Sequence, residues 1–310
     1  MKILVTGGAG YIGTRLIPEL LKRNYDVTVL DNLMYKQNSL IPHFFDDKFD
    51  FVYGDIRNEK LLQDNLKDKD IVVHLASIVG APACKKDEKL ANEVNVDGTR
   101  NIVQNLDNSQ ILLFASTGSV YGKVEEMCLE SMTPNPLSVY GVTKYVGEKL
   151  SLERENSVAF RFATAYGLSP RLRLDLLIND FILQAIQNKY LVVYDKHFRR
   201  TFIHIMDIVE SYIHMIDNFD NVKGEAYNVG SAEGNFTKEE IILKFQEHLD
   251  FQIYYADKGI PDPDQRDYEV NYSKLEDTGY KAKVGIDQGI KEVVEGLRHF
   301  QYSSAFGNII

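Results

Sequence analysis

A glycine-rich turn near the N-terminus restricts the fold of this chain more than any other feature of its sequence. Gly7, Gly10 and Gly13 follow an apolar, strand-like run, Lys2–Thr6, and open a helix-like stretch at residues 11–23. Glycine allows the backbone to turn sharply and to approach a ligand, and a helix N-terminus attracts a phosphate group. The Gly-x-x-Gly-x-x-Gly spacing differs by one residue from the GxGxxG fingerprint. A strand, this turn and a helix in succession nevertheless predict a dinucleotide-binding unit.

The first half of the chain alternates strand-like and helix-like stretches. This alternation predicts a doubly wound, parallel α/β sheet of the Rossmann type with helices on both faces. The strands are rich in Val, Ile and Leu, as expected for strands that are covered on both sides. The candidate strands are residues 2–6, 26–31, 50–54, 71–75, 111–115 and 158–162, and the candidate helices are residues 11–23, 59–66, 89–105 and 139–153.

Beyond residue 166 the pattern changes and predicts a smaller, mostly C-terminal α/β lobe that binds the substrate. Its candidate elements are helices at residues 174–188, 206–219, 237–248 and 287–300 and a strand at Tyr190–Tyr194. Residues 226–230 resemble a late strand of the first lobe, so we expect the chain to cross between lobes more than once. We therefore predict a nucleotide domain of residues 1–166 with roughly 201–230, and a substrate lobe of residues 167–200 and 231–310.

The composition of the 310-residue chain fits a globular protein and limits its partners. A net charge of −10 provides no general basic surface for nucleic acid. There is no run of about 18 apolar residues, and the start lacks the apolar core of a signal peptide, so we expect a cytoplasmic protein without a membrane partner. Cys84 and Cys128 are too few for a disulfide framework, and we expect inert thiols. No metal site is expected, because CxxC and HExxH are absent.

Two acidic positions fit the adenosine end of a dinucleotide. Asp31 ends the second candidate strand and follows Gly13 by 18 residues, where an acid accepts hydrogen bonds from ribose hydroxyls. Its charge would repel a 2′-phosphate, which favours NAD over NADP. The alternative is an acidic turn residue at a strand end. Asp55 and Ile56 could hold the adenine edge, although their spacing alone does not decide this.

A tyrosine and a lysine form the candidate catalytic pair. Tyr140 and Lys144 are four residues apart, so on a helix they share a face. Tyrosine has a reference pKa of about 10 and is a poor base at neutral pH. A neighbouring ammonium and a nicotinamide cation could lower that pKa by about three units, which requires roughly 4 kcal/mol.

The same spacing occurs twice more, at Tyr145/Lys149 and at Tyr254/Lys258. Tyr145 lies about 140° round the helix from Tyr140, so we expect it to pack in the core. The second pair follows a strand-like run and is interpreted as structural.

A hydroxyl-rich run, STGSVYG at residues 116–122, follows the strand at residues 111–115. Strand ends in a parallel sheet face the ligand crevice, where a hydroxyl can donate to a substrate oxygen. The alternative is a turn that its own hydroxyls cap locally.

Together these residues resemble the extended short-chain dehydrogenase/reductase family, and within it the NAD-dependent sugar-nucleotide epimerases and dehydratases. The resemblance covers nearly the whole chain. It rests on GGAGYIG at 7–13, Asp31, Asp55-Ile56, HLA at 74–76, NVDGT at 95–99, STGSVYG, YGVTK at 140–144 and RTFIHIMD at 200–207. It implies NAD as the cofactor, bound by Gly7, Gly10, Tyr11, Ile12, Gly13, Asp31, Asn32, Asp55, Ile56, Leu75, Ala76, Tyr140 and Lys144.

The resemblance also implies the roles of the substrate-side residues. Tyr140 would be the acid/base, Lys144 would tune it and hold the nicotinamide ribose, and Thr117 would bond the reacting oxygen. The predicted substrate contacts are Thr117, Ser119, Asn179, Arg200 and Arg266, with Arg200 as the clamp on the nucleotide diphosphate. A nucleotide-diphosphate sugar is the expected substrate. A homodimer is expected through the helices at residues 89–105 and 139–153.

Departures from the family pattern narrow the reaction. The 4,6-dehydratases carry an Asp-Glu pair directly after the active-site Thr, where this chain has Gly118 and Ser119. Some epimerase-reductases have a Cys at the position of Ser119. Both activities are therefore disfavoured. Thr164 replaces the usual Asn, and residues 264–267 read DQRD in place of RPGD.

Three further stretches, VGAPACKK at 79–86, SPRLRLDLLINDF at 169–181 and PDQRDY at 263–268, resemble a bacterial subgroup that oxidises C4 of GDP-linked heptose. We therefore expect an epimerase that acts by transient oxidation at the sugar C4. The alternatives are a 4-dehydrogenase that releases a keto sugar and a non-catalytic NAD-binding protein.

Two further groups have simpler interpretations. We expect His74 to be a packed strand-end residue and not a general base. We expect the arginine cluster of residues 171, 173, 199 and 200 to form a solvated face, although two of the four flank family positions for diphosphate binding.

Overall fold

The structure is a computed structural model that describes residues 1–36, 38–124, 126–256, 267–299 and 307–308. Its strands are β1 Lys2–Thr6, β2 Asp26–Asp31, β3 Phe49–Tyr53, β4 Ile71–His74, β5 Ile111–Thr117, β6 Ser157–Phe162, β7 Thr164–Tyr166, β8 Tyr190–Tyr194, β9 Arg199–His204, β10 Glu225–Val229, β11 Asn235–Thr237 and β12 Gln252–Ala256. Its helices are α1 Gly13–Lys22, α2 Glu59–Leu66, α3 Ala81–Lys86, α4 Glu88–Asn92, α5 Thr99–Asn105, α6 Val139–Leu152, α7 Leu177–Asn188, α8 Ile205–Asp217, α9 Phe219–Val222, α10 Lys238–Phe245, α11 Ser273–Glu276 and α12 Ile286–Arg298.

Seven strands form one parallel sheet in the order β10-β6-β5-β4-β1-β2-β3. The predicted doubly wound α/β fold is therefore confirmed. The strand order reverses between β1 and β4, and in sheets of this kind ligands bind in the crevice at such a switch point. The sheet is covered on both faces: its central strands are buried along almost their whole length, and the buried residues of α1, Leu16, Ile17 and Leu20, pack against it.

Two smaller sheets follow in the second half of the chain. The strands β7, β9 and β11 form a three-stranded sheet, and β8 pairs in parallel with β12. A second buried cluster joins α7, α10 and α12 around these strands. The strand β10 returns to the large sheet beside β6, so the chain does revisit it. The exact boundaries of the two predicted lobes stay a prediction.

Several predicted boundaries differ from those of the structure; the helix predicted at residues 237–248, for example, ends at Phe245. The helix predicted at residues 89–105 is two helices, α4 and α5, joined by a π-helical turn at Glu93–Gly98. The helix predicted from residue 174 begins at Leu177. In the described part of the chain, none of the helices combines the length and apolarity that a bilayer crossing requires.

Candidate active site

A cavity opens at the carboxyl ends of the strands on either side of the switch point. It is walled by the glycine turn, the ends of β2, β4 and β5, and the first turns of α6. Fifteen of the predicted positions lie on this wall: Gly7, Gly10, Tyr11, Ile12, Gly13, Asp31, Asn32, Asp55, Ile56, Leu75, Ala76, Thr117, Ser119, Tyr140 and Lys144. The structure thus brings the candidate cofactor residues and the candidate catalytic residues to one place.

The glycine turn requires its glycines. Gly7 has φ of +70°, and a Cβ atom there would lie 2.5 Å from the backbone nitrogen of Ala76. A Cβ at Gly13 would lie 2.4 Å from the carbonyl oxygen of Gly8. Among the described residues, no side chain caps the N-terminus of α1. The N–H groups of Thr14 and Arg15 bond to the carbonyls of Gly10 and Ile12. A glycine turn at a helix N-terminus fits the pyrophosphate of a dinucleotide.

Asp31 joins the glycine turn to the loop after β2. Its carboxylate accepts hydrogen bonds from the backbone N–H groups of Ala9, at 3.0 Å, and Leu33, at 2.8 Å. Burial raises the pKa of this carboxyl, and the two N–H groups oppose that effect. Asp31 therefore is a turn residue, as the alternative had it, and it also lies on the cavity wall.

Asp55 lies on the same cavity wall as Asp31, and its carboxylate accepts a hydrogen bond from the side-chain amide of Asn32 at 3.0 Å. Hydrogen bonds from the Arg57 side chain lower the pKa of Asp55 to about 2, so this carboxylate is charged at neutral pH.

Thr117 ends β5 on the wall of the cavity. Its hydroxyl oxygen accepts from the Ser119 backbone N–H at 3.2 Å, and the hydroxyl lies 3.3 Å from the Ser119 hydroxyl. Both interpretations of the hydroxyl-rich run therefore hold: the Thr117 hydroxyl caps the turn locally, and Thr117 also lies on the cavity wall.

The catalytic candidates lie at the start of α6. The hydroxyl of Ser138 caps this helix by accepting from the Gly141 N–H at 3.1 Å, which places Tyr140 in the first turn. Lys144 is buried one turn further on, with its ammonium nitrogen 4.3 Å from the centre of the Phe114 ring. Burial lowers the pKa of Lys144 to about 7, while Cys84 and Glu148 act in the opposite direction. This buried amine therefore changes its charge near neutral pH.

The expected solvated arginine cluster was wrong for most of its members. Arg171 is only 2% exposed, lies on the cavity wall and stacks over the Tyr35 ring at 4.3 Å. Arg173 also lies on the wall and pairs with Asp175 at 2.6 Å. Only Arg199 matches the expectation, since its side chain is half-exposed and pairs with Glu269. The sequence predicted solvated side chains for Arg171 and Arg173, although both follow the end of β7, where a loop can face the cavity.

Asn179 and Arg200 do not line the cavity. The amide of Asn179 is fully buried, donates to the carbonyls of Gly167 and Arg173, and accepts from the Gly167 N–H, at 2.9–3.1 Å. Arg200 is buried on β9 and donates to the Arg199 carbonyl. Their predicted contacts with the substrate stay predictions. Arg266, the last predicted substrate contact, lies outside the described residues.

The remaining candidate groups are structural. His74 is buried between the hydroxyls of Thr6, at 2.8 Å, and Thr99, at 2.9 Å, which confirms a packed strand-end residue. Burial lowers its pKa to about 3. Burial also raises the pKa of Cys84 to about 11 and that of Cys128 to about 12, as expected of inert thiols. In the described ranges, no group of three or more His, Cys, Asp or Glu residues could hold a metal ion.

A doubly wound sheet with a glycine turn, an acid at the end of β2 and a Tyr-x-x-x-Lys helix in one crevice defines a class of nicotinamide-dinucleotide enzymes. The chain belongs to the NAD dependent epimerase/dehydratase family, whose model matches residues 3–230. Its cofactor is NAD, and its chemistry is that of the sugar-nucleotide epimerases and dehydratases.

Known proteins similar to this chain act on nucleotide sugars. UDP-N-acetyl-alpha-D-glucosaminuronate decarboxylase from Bacillus cytotoxicus is 30% identical over 97% of this chain and 98% of its own. The crystal structure of UDP-glucuronic acid 4-epimerase from Bacillus cereus with UDP-glucuronic acid and NAD matches with a TM-score of 0.83 and 28% identity, over 96% of this chain and 99% of that one. Thermus thermophilus UDP-glucose 4-epimerase with NAD matches with a TM-score of 0.83 and 25% identity, again over 96% and 99%.

Proposed function

We propose that this protein is an NAD-dependent nucleotide-sugar 4-epimerase that works by transient oxidation at the sugar C4. The observation that carries the proposal is the presence of Thr117, Tyr140 and Lys144 on the wall of the same cavity as the glycine turn and Asp31. In this proposal, a proton acceptor and a hydroxyl donor would face the sugar hydroxyl in the cavity that holds the cofactor.

The residues present fit NAD. The backbone of Gly10 to Gly13 at the start of α1 would hold the pyrophosphate. Gly7 and Gly13 keep this turn in shape, because a side chain at either position would collide with the backbone of Ala76 or Gly8. Asp31 would accept hydrogen bonds from the adenosine ribose, and Lys144 would donate to the nicotinamide ribose. The bound cofactor supplies a hydride acceptor that can return the hydride.

Each catalytic side chain then has one task. Tyr140 removes the proton from the C4 hydroxyl and returns it when the sugar is reduced on its other face. Thr117 donates a hydrogen bond to the same oxygen as it becomes a carbonyl. Lys144, when charged, stabilises the Tyr140 phenolate.

An epimerase is favoured over a dehydratase because elimination of water needs an acid/base pair after Thr117, and Gly118 and Ser119 stand there. Two of the similar solved proteins are themselves 4-epimerases, one of UDP-glucuronic acid and one of UDP-glucose. We also propose a homodimer that forms through α4, α5 and α6, and a cytoplasmic location. Light scattering of the purified protein tests the homodimer.

The test combines product analysis with one mutation. The purified protein is incubated with UDP-, GDP-, dTDP- and CDP-sugars, and NMR and absorbance at 340 nm follow the products. Interconversion of two C4 epimers without net NADH is the expected result. Accumulation of NADH with a 4-keto sugar would instead identify a 4-dehydrogenase, such as one that acts on a GDP-heptose. Binding without any turnover would leave an NAD-binding protein.

Tyr140→Phe removes the proposed acid/base without removing the ring. We expect turnover to fall by about 10²-fold or more while NAD affinity is kept. Calorimetry measures the affinity, and unchanged turnover would exclude Tyr140 from the mechanism.

A further inference from the structure

We propose that a buried ion pair, Glu148–Arg161, acts through Ser116 as a positioning unit that fixes the catalytic helix α6 against the catalytic strand β5. The inference rests on the proposed function. None of the three residues is given a part in proton transfer. Their task is to set the distance between Thr117 on β5 and the Tyr140–Lys144 pair on α6.

The pair is closed and well bonded. Glu148 is 2% exposed and Arg161 5% exposed. The Arg161 Nη2 donates to Glu148 Oε1 at 2.7 Å, and Nε donates to both carboxylate oxygens at 3.1–3.2 Å. The Ser116 hydroxyl donates to Glu148 Oε2 at 2.6 Å. One carboxylate on α6 thus binds side chains from two neighbouring strands.

The positions of Ser116, Arg161 and Glu148 in their strands and helix explain how the pair can fix α6 relative to β5. Ser116 and Arg161 are register partners across β5 and β6, and Ser116 directly precedes Thr117. On α6, Tyr140, Lys144 and Glu148 follow one another at intervals of four residues and therefore share a face. A slide or rotation of α6 that moved Tyr140 from Thr117 would also break the bonds of Glu148.

The network extends to the turn that carries Ser119. Arg161 Nη1 donates to the Tyr121 hydroxyl at 2.9 Å, and that hydroxyl donates to the side-chain Oδ1 of Asn228, a residue of β10, at 2.7 Å. The guanidinium lies 5.0 Å from the centre of the Tyr121 ring. The helix, both strands and the turn after Thr117 are therefore joined through one guanidinium–carboxylate pair.

Stability alone does not account for a pair of this kind, because buried ion pairs can often be replaced by apolar groups without loss of stability. Geometry does account for it, since a bidentate pair holds two elements in one orientation. Glu148 also bears on the chemistry electrostatically, because its charge favours the protonated form of Lys144.

The test removes the hydrogen bond between Ser116 on β5 and Glu148 on α6 and keeps the Glu148–Arg161 ion pair. Ser116→Ala deletes one hydroxyl of the network. Ser151→Ala is the matched control, because Ser151 is equally buried on α6, two turns beyond Lys144, and its hydroxyl donates to the Gly147 carbonyl of the same helix at 2.8 Å. Thermal unfolding followed by circular dichroism establishes that each variant is folded.

We expect Ser116→Ala to lower kcat by about tenfold while KM and the NAD dissociation constant stay within about twofold. Ser151→Ala should leave all three values within about twofold of the wild type. Glu148→Gln, which keeps the shape and removes the charge, should lower kcat further with the same unchanged KM.

Wild-type kcat in Ser116→Ala, or an equal loss in Ser151→Ala, would overturn the positioning role while the proposed function stands. A folded Glu148→Gln variant with full activity would do the same. If Glu148→Gln does not fold, the two serine variants decide alone. A wild-type protein that converts none of the nucleotide sugars overturns the proposed function, and the positioning role with it.

Discussion

Lys144 shows how one residue can be costly to the fold and useful to the reaction. Its ammonium is buried, and burial lowers its pKa from 10.5 to about 7. Between these two pH values the unfolded chain binds a proton that the folded chain does not. Stability therefore rises with pH from about 7 to 10.5, and below pH 7 the buried charge is a constant cost.

Lys144→Met removes this charge and keeps a chain of similar length. We expect the stability advantage of the cofactor-free variant over the wild type to be larger at pH 6 than at pH 9 by about 2 to 3 kcal/mol, because the wild type gains stability between pH 7 and pH 9. Urea unfolding of both proteins at the two pH values measures the effect. A difference that does not change with pH would mean that Lys144 keeps its ordinary pKa.

Residues of the cavity wall that belong to a local sequence pattern were predictable, whereas those whose burial depends on distant contacts were not. Gly7 and Asp31 could be located because a strand, a turn and a helix follow one another in the sequence. Arg171 could not, because its burial depends on Tyr35, which is far from it in the chain. The charge of Arg171 predicts an exposed side chain. In the folded protein the side chain is buried instead, in contact with the Tyr35 ring.

The loop between β7 and α7 brings Arg171 and Arg173 to the wall of the cavity. Asn179, on α7, holds this loop by bonds to the backbone of Gly167 and Arg173. Asn179→Ala should cost about 2 kcal/mol of stability, because buried backbone groups lose their partners. It should also raise the substrate KM, because the backbone of Arg173 would lose its bond to Asn179 and the Arg173 side chain on the cavity wall would shift.

Asn188→Ala, an exposed position on the same helix, is the control and should change neither value. The free energy of unfolding and KM are measured for both variants. A loss of stability with an unchanged KM would restrict Asn179 to a structural role.

Elements formed by local pattern were predictable, and those set by distant contacts were not. The parallel strands β1 to β6 follow from apolar runs. The π-helical turn within residues 89–105 does not, because Asn95 there binds the backbone of Ile78 and the hydroxyl of Thr143. The three-residue strand β7 exists only because β9 pairs with it.

Hydrogen bonds join the two halves of the chain, because they link the glycine turn to the loop after β7. Tyr11 donates its hydroxyl to the Gly167 carbonyl at 2.8 Å, and Ser169 donates to the Tyr11 carbonyl at 2.7 Å. Arg15 donates to the Leu168 carbonyl at 2.9 Å. The loop after β7 thus closes against the glycine turn, and the same loop carries Arg171 on the cavity wall.

This closure predicts that Arg171 strengthens NAD binding from outside the glycine turn. Its guanidinium lies on the wall with Asp31, and among the described side chains its Nε is a buried donor without a partner. A guanidinium donor suits a phosphate oxygen, so Arg171→Met should weaken NAD binding by about tenfold. Since a ligand stabilises a fold in proportion to the logarithm of its concentration over its dissociation constant, the variant should gain less thermal stability from NAD than the wild type. Arg199→Met, at a half-exposed arginine off the cavity wall, should gain as much as the wild type. Equal NAD-induced shifts of the unfolding midpoint in all three proteins would leave Arg171 without a part in cofactor binding.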